Sequence, residues 1–379
     1  MKRHIISLSL AAATLVGTSA YASEQHFGHL MFRETPYAPY VGIYPLSEKA
    51  SGEVSHYEFE YDKQGRLVRI SQEHNEQLVP AHGRFDSFIW FAPEVRIAYQ
   101  GNQEVHTYFN TEGEQMYAHG QVWRAVYTLN DEGERTKLEF FNQNGEPSES
   151  EWNIAQYEWR PSDDGHVFEK RFNLAGEQQP IRPWFHFHEV KLEYDNRGML
   201  AFMRNYGTDH KPTNNKSGAG IDRITYDLSG NFIRWQVYDK DGNPVEGNRP
   251  MVHLGEHLYD DMGNKVGMRG YDRFGNQMAF AWGAFEEKNE YNKQGIAVSQ
   301  ATYRMDGELE SKLVIDFSSD LKHRTSIMSL DQDGKLKGDP RLRGAARVAF
   351  EYSDDGQRQV KFFDADGQEI ENNNQSSGN

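Results

Sequence analysis

The chain has 379 residues, 57 acidic against 41 basic side chains, a net charge of −16 and no cysteine. So acidic a surface repels phosphate backbones and anionic headgroups, which excludes a nucleic-acid partner and disfavours a membrane-surface role. With no disulfide available, burial alone must hold the fold, and a chain of this length buries enough surface to do so.

Residues 1–22 read as a secretory signal peptide. Lys2 and Arg3 give a positive start, Ile5 to Val16 an apolar run, and Ala20-Tyr21-Ala22 a small-x-small cleavage pattern before Ser23. The run falls short of the ~20 residues a spanning helix needs, and no later run is apolar enough to cross a bilayer. The expectation is a periplasmic or secreted protein with no membrane span after cleavage. Removing Lys2 and Arg3 leaves 39 basic against 57 acidic side chains, a net of −18.

Residues 23–55 form an N-terminal segment containing "PYAPYVGIYP" at 36–45. Its prolines and aromatics are expected to cap the exposed edge of the first strand that follows.

From residue 56 to 370 the phrase Aro-[DN]-x-x-Gly recurs, with leading glycines at Gly133, Gly165, Gly198, Gly230, Gly263 and Gly295. The steps are 32, 33, 32, 33 and 32 residues, a register that marks a repeat array. A second glycine follows most of them by 11 or 12 residues: Gly145, Gly176, Gly242, Gly275 and Gly307. The pattern frays where Gln77, His210 and Leu321 stand in glycine positions, and 78–98 reads as an insertion. About ten units result, with degenerate outer ones. Residues 371–379 are expected to be a disordered tail.

Turn chemistry explains the phrase. Asp or Asn bonds its side chain to backbone amides two residues on, glycine supplies the positive φ that closes a bulged hairpin, and the preceding aromatic anchors the strand. In "HYEFEYD", Tyr57, Phe59 and Tyr61 share one face and His56, Glu58 and Glu60 the other, the period of a strand with one buried face. No stretch after the signal reads as helix. The predicted fold is all-β: tandem ~32-residue two-stranded hairpins in an extended, coiled antiparallel sheet. The alternative is a five-bladed β-propeller, each four-stranded blade made from paired units.

"YDKQGRL", "YDLSGN", "YDKDGN", "YDDMGN" and "YDRFGN" resemble the YD-type repeats of Rhs-like shell proteins and, more loosely, MORN-like hairpins. The likeness covers roughly residues 55–370. It implies a β-sheet spiral of the kind that encloses or presents a toxic C-terminal domain. Here only "QEIENNNQSSGN" follows Gly367, and neither family passes a catalytic residue to this chain.

Candidate sites are few. His186 and His188 in "RPWFHFHEV" would point to one side of a strand, as a two-imidazole metal site requires, although no third ligand is visible. His253 and His257 would share a strand face two pleats apart. The "DKDG", "DQDG" and "DADG" turns fail the calcium-loop template: aligning Gly334 puts Ser329 first and Pro340 twelfth. No nucleophile elbow, phosphate loop or catalytic triad pattern is present. Trp184, Trp235 and Trp282 are candidates for a stacking surface. No catalytic residue and no cofactor is assigned. The expected role is an exported, non-catalytic scaffold or binding module of the bacterial envelope, facing an envelope or extracellular protein or a polysaccharide. The alternatives are a carbohydrate-binding or carbohydrate-active propeller, and a shell component of a secreted toxin system.

Overall fold

Each repeat phrase folds as one hairpin corner. At Tyr61–Arg66, Asp62 Oδ1 accepts from the amides of Gln64 and Arg66, both at 2.9 Å, and Gly65 closes the turn at φ 76°. Asn142 and Asp239 repeat these two bonds within 0.1 Å. Where glycine is missing the backbone still turns left-handed, at Leu321 (φ 63°) and His210 (φ 57°). At Gln77 the corner is instead a two-residue turn through Asn75 and Glu76, also of positive φ. The ladder slips by one residue at successive corners, before Tyr194, Tyr226, Tyr259 and Tyr291, which is the bulge the glycine accommodates.

The computed structural model describes residues 23–79, 92–321, 323–352 and 358–370. Among these, 25 strands pair into one antiparallel sheet that does not close on itself. Its continuity rules out division into propeller blades. The only helix among the described residues is one turn at Glu48–Ser51 and a 3-10 turn at Pro340–Leu342. No helix there is long and apolar enough to cross a membrane. The signal peptide, the polar tail and most of the expected insertion lie outside the described residues. The insertion is shorter than expected: Glu94–Gln100 is a regular ladder strand paired with Leu67–His74.

Within a unit, two strands meet at the first glycine. After the second glycine a one-residue bridge, such as Phe141 to Pro147 or Tyr238 to Pro244, starts a loop that returns to the next strand. Short corners therefore line one rim of the sheet and longer loops the other. The sheet coils until the rims meet: the Ser55 amide donates to the Gln294 carbonyl at 2.9 Å, and His323 lies 3.9 Å from Glu112. In both contacts the loop rim of an early unit rests on the corner rim of a late one. That offset of about one strand length makes a spiral instead of a barrel.

The N-terminal segment does more than cap an edge. Strand Ser23–Leu30 does extend the sheet beside His56–Tyr61, and Gly42–Leu46 pairs on its far side. The residues between them thread the hollow of the coil. Arg135 Nη1 donates to the carbonyls of Pro36, Tyr37 and Ala38 at 2.8, 3.1 and 3.0 Å, while its Nη2 reaches Glu104 at 2.5 Å. Thr35 donates to Glu169, Arg182 to Glu34, and Tyr226 to the Phe32 carbonyl. Ile43 and Tyr44 lie against Gly230 and Gly263, where any added Cβ would fall 2.7 and 2.3 Å from them.

Around this segment the inward side chains form two large apolar clusters, one centred on Phe59, Tyr127, Leu138 and Trp159, the other on Phe187, Leu192, Met203 and Ile224. Beyond residue 250 the described residues form only two small clusters. The polar face expected to be wet in "HYEFEYD" is instead buried at His56 and Glu60.

Candidate functional site

The threaded segment ends short of the later repeats and leaves a cleft of about 790 Å³ on the inner face of the coil. Phe32 and Glu34 form its near wall, and strands from Leu254 to Phe317 form its floor. A smaller chamber of about 260 Å³ shares His257, Lys265, Asn289 and Gln300 with it.

Trp184, Trp235 and Trp282 all line this cleft, although they come from a return loop, a strand and a turn of three different units. Trp282 stacks on Phe280 at 4.7 Å and 4°, and Phe280 on Trp235 at 6.4 Å and 21°. The Trp282 indole donates to Glu287 at 2.9 Å, yet 45% of the residue stays exposed. Trp184, 39% exposed, carries the Arg249 guanidinium 5.2 Å from its ring. Trp235 lies flat on the sheet because its cross-strand partner is Gly255; a Cβ there would sit 1.9 Å from the indole.

The floor is polar. Asn289 donates to the Lys265 carbonyl at 2.9 Å, Gln300 reaches Glu287 at 3.5 Å, and the Thr302 and Ser311 hydroxyls meet at 3.1 Å. At the far end Arg341 grips Asp339 and donates to Ser311 at 2.6 Å. Burial alone would raise the Asp339 carboxyl, but hydrogen bonds from Arg341 hold it at about 2. Burial brings the Lys265 ammonium down to about 8, with Glu287 opposing, and pushes the His257 imidazole well below its usual range.

On the near wall Asp222 is driven well above the usual carboxylate range, first by burial and then by the charge of Glu34, with Arg182 opposing. Asp222 Oδ1 makes no hydrogen bond. Asp222 thus stands beside Glu34, whose carboxyl group is held by the Arg182 guanidinium.

The histidine expectations fare differently. His186 and His188 both face solvent, as their spacing predicts, but they lie on an irregular loop that buries Phe185 and Phe187 instead of on a strand. Among the described residues no third carboxylate or imidazole joins them. His253 and His257 are each tied to a separate carbonyl, of Val237 and Phe232, and make no joint site. Phe280, Glu34, Asp222 and Lys265 were missed by sequence reasoning. Only the Phe280-x-Trp282 pair in "AFAW" carried a signal, two aromatics spaced to share a side, although the segment folds as a turn and not as a strand.

No protein-family model matches the chain, and no curated protein matches it. Among solved structures, a porin-like protein from Bacteroides uniformis aligns over 82% of this chain and 94% of its own, at 9% identity and a TM-score of 0.26. A putative 6-phosphogluconolactonase from the same organism covers 92% and 95%, at 10% identity and a TM-score of 0.12. A mosquitocidal holotoxin covers 91% of this chain and 42% of its own, at 10% identity and a TM-score of 0.10. At these scores the likenesses carry no argument about fold or function.

Proposed function

We propose that the protein is an exported, non-catalytic binding module that takes a glycan chain in the cleft. The observation that carries this reading is the stack of Trp282, Phe280 and Trp235 above a floor of amide, hydroxyl and charged side chains. A sugar ring presents an apolar face and a hydroxyl edge, and such a ligand needs flat aromatic surface and convergent hydrogen-bonding groups together. The cleft's size falls in the range of small-ligand sites, enough for a few sugar units. The repeats support a YD-like spiral, but here the hollow is filled by the chain's own N-terminal segment and by this cleft.

A second reading is favoured by one observation. Asp222, a cleft-wall carboxyl raised well above the usual range by burial and by the neighbouring Glu34, has the environment of a hydrolytic general acid.

Tryptophan fluorescence titration against a panel of envelope and exported polysaccharides tests both. Binding that weakens at least tenfold in Trp282→Ala and Trp184→Ala, with the ligand recovered intact, is the expected result. Cleavage abolished by Asp222→Asn would replace it with the enzyme. A flat response to every glycan, with one stoichiometric protein captured by crosslinking, would return the protein to the scaffold role.

A further inference from the structure

The buried polar face of the first strands holds a second arrangement, away from the cleft. Strand register sets His26 directly opposite Glu58, with His56 one pair further along the same face. We propose that His26, His56 and Glu58 form a binding site for a divalent transition-metal ion of the zinc class, clamping strand Ser23–Leu30 to strand His56–Tyr61.

One ligand atom from each residue lies within 4.8 Å of those from the other two, and the imidazole centroids are 5.2 Å apart. Bonds of about 2.0–2.2 Å to one tetrahedral ion place ligand atoms ~3.5 Å apart, so side-chain shifts of roughly 1 Å complete the geometry. Each imidazole already has its second nitrogen engaged. His56 Nδ1 donates to the Val54 carbonyl at 3.2 Å, which leaves a lone pair on Nε2. His26 Nε2 faces the Glu24 carboxylate at 3.2 Å, which leaves the lone pair on Nδ1. That Nδ1 is buried, makes no hydrogen bond, and faces Glu58 Oε2 at 4.0 Å. The other Glu58 oxygen accepts from Arg69, so the metal-facing oxygen is held in place.

The electrostatics favour a dication. One guanidinium, Arg69, is shared by Glu58, Glu60, Glu73 and Glu94, with Arg96 a second cation on Glu94 only, and Glu60 Oε2 is buried without a partner. Carboxylates outnumber cations on this face, and a bound ion offsets the surplus. Two imidazoles with one carboxylate select zinc, cobalt, nickel or copper over calcium and magnesium. With three protein ligands, a fourth position is left for water.

The test uses the full chain freed of metal with chelator, titrated calorimetrically with Zn²⁺ and spectroscopically with Co²⁺. One ion per chain is expected, with the visible absorption of four-coordinate Co²⁺ and a rise in melting temperature absent with Ca²⁺ or Mg²⁺. His26→Asn, at a partly exposed side chain, should weaken Zn²⁺ binding at least tenfold while the metal-free melting temperature holds. His56→Gln should do the same, and His186→Ala/His188→Ala should leave binding intact. The proposal is overturned if the folded wild-type chain binds no Zn²⁺, if binding survives both the His26 and His56 substitutions, or if the His186/His188 variant loses it.

Discussion

The early and late repeats are built from the same corners yet face inward with different chemistry. In the early repeats one row across three paired strands reads Tyr127, Leu138 and Tyr157, all buried. In the late repeats a row on the same inward face, two residues further from the corner, reads Glu287, Thr302 and Ser311, and it lines the cleft. Corner chemistry therefore makes the sheet, and the inward row alone decides whether the coil is filled or left open. An apolar row needs a filling, which the N-terminal segment supplies; a polar row can remain solvated and recognise a ligand.

The sharpest way to break the comparison is at Arg135. Replacing it with Met strips three carbonyls of the threaded segment of their donor and leaves Glu104 buried with one partner fewer. A loss of about 3–5 kcal/mol in urea-unfolding free energy is expected. Arg304→Ala, which removes an exposed cation with three acidic neighbours at the cleft rim, should leave the same curve unmoved.

Next in size is an acid limb. Burial would raise Glu104, but hydrogen bonds and charge from His106 and Arg135 outweigh it and hold the carboxyl at about 2. A depressed carboxyl stabilises the fold above its unfolded value of 4.5, and that contribution is lost as pH falls toward 2. It amounts to ~3 kcal/mol at most. Melting temperatures between pH 5 and 2 should fall less steeply in Glu104→Gln than in the wild type.

The smallest effect is at a corner. Leu321 holds a left-handed φ of 63° where its neighbours use glycine. Leu321→Gly should raise stability by about 1 kcal/mol, read as a higher urea midpoint at unchanged slope. A fall instead would mean that the side chain's packing outweighs its strain.

How much was legible in the sequence follows the range of the interactions. Corners and strands depend on residues two to four apart, so Asp62, Gly65 and even the misfit Leu321 were placed from sequence alone. The convergence of Trp184, Trp235 and Trp282 depends on how far the sheet coils, which no local pattern encodes. The same holds for His26 and His56: thirty residues apart in sequence, they become neighbours only through the pairing of His26 with Glu58. His186 and His188 had the right spacing, but Phe185 and Phe187 compete for the same backbone. Burying those two rings turns the histidines out to solvent, with no third ligand beside them among the described residues. The N-terminal segment was read as an edge cap because its prolines suit one. Its true partners, such as Arg135 and Asn231, lie 99 and 187 residues downstream.

Those separations set a timetable. The segment leaves the ribosome before the repeats, yet it finds partners as far on as Met262, 233 residues after His29. Strand-by-strand growth from the N-terminus cannot bury it, since the walls that enclose it do not yet exist. Loops this long close slowly, so folding should be late and cooperative, with refolding rates nearer those of large β-barrels than of solenoids that zip up repeat by repeat. A nascent chain halted before residue 230 would hold an apolar strip with nothing to wrap it.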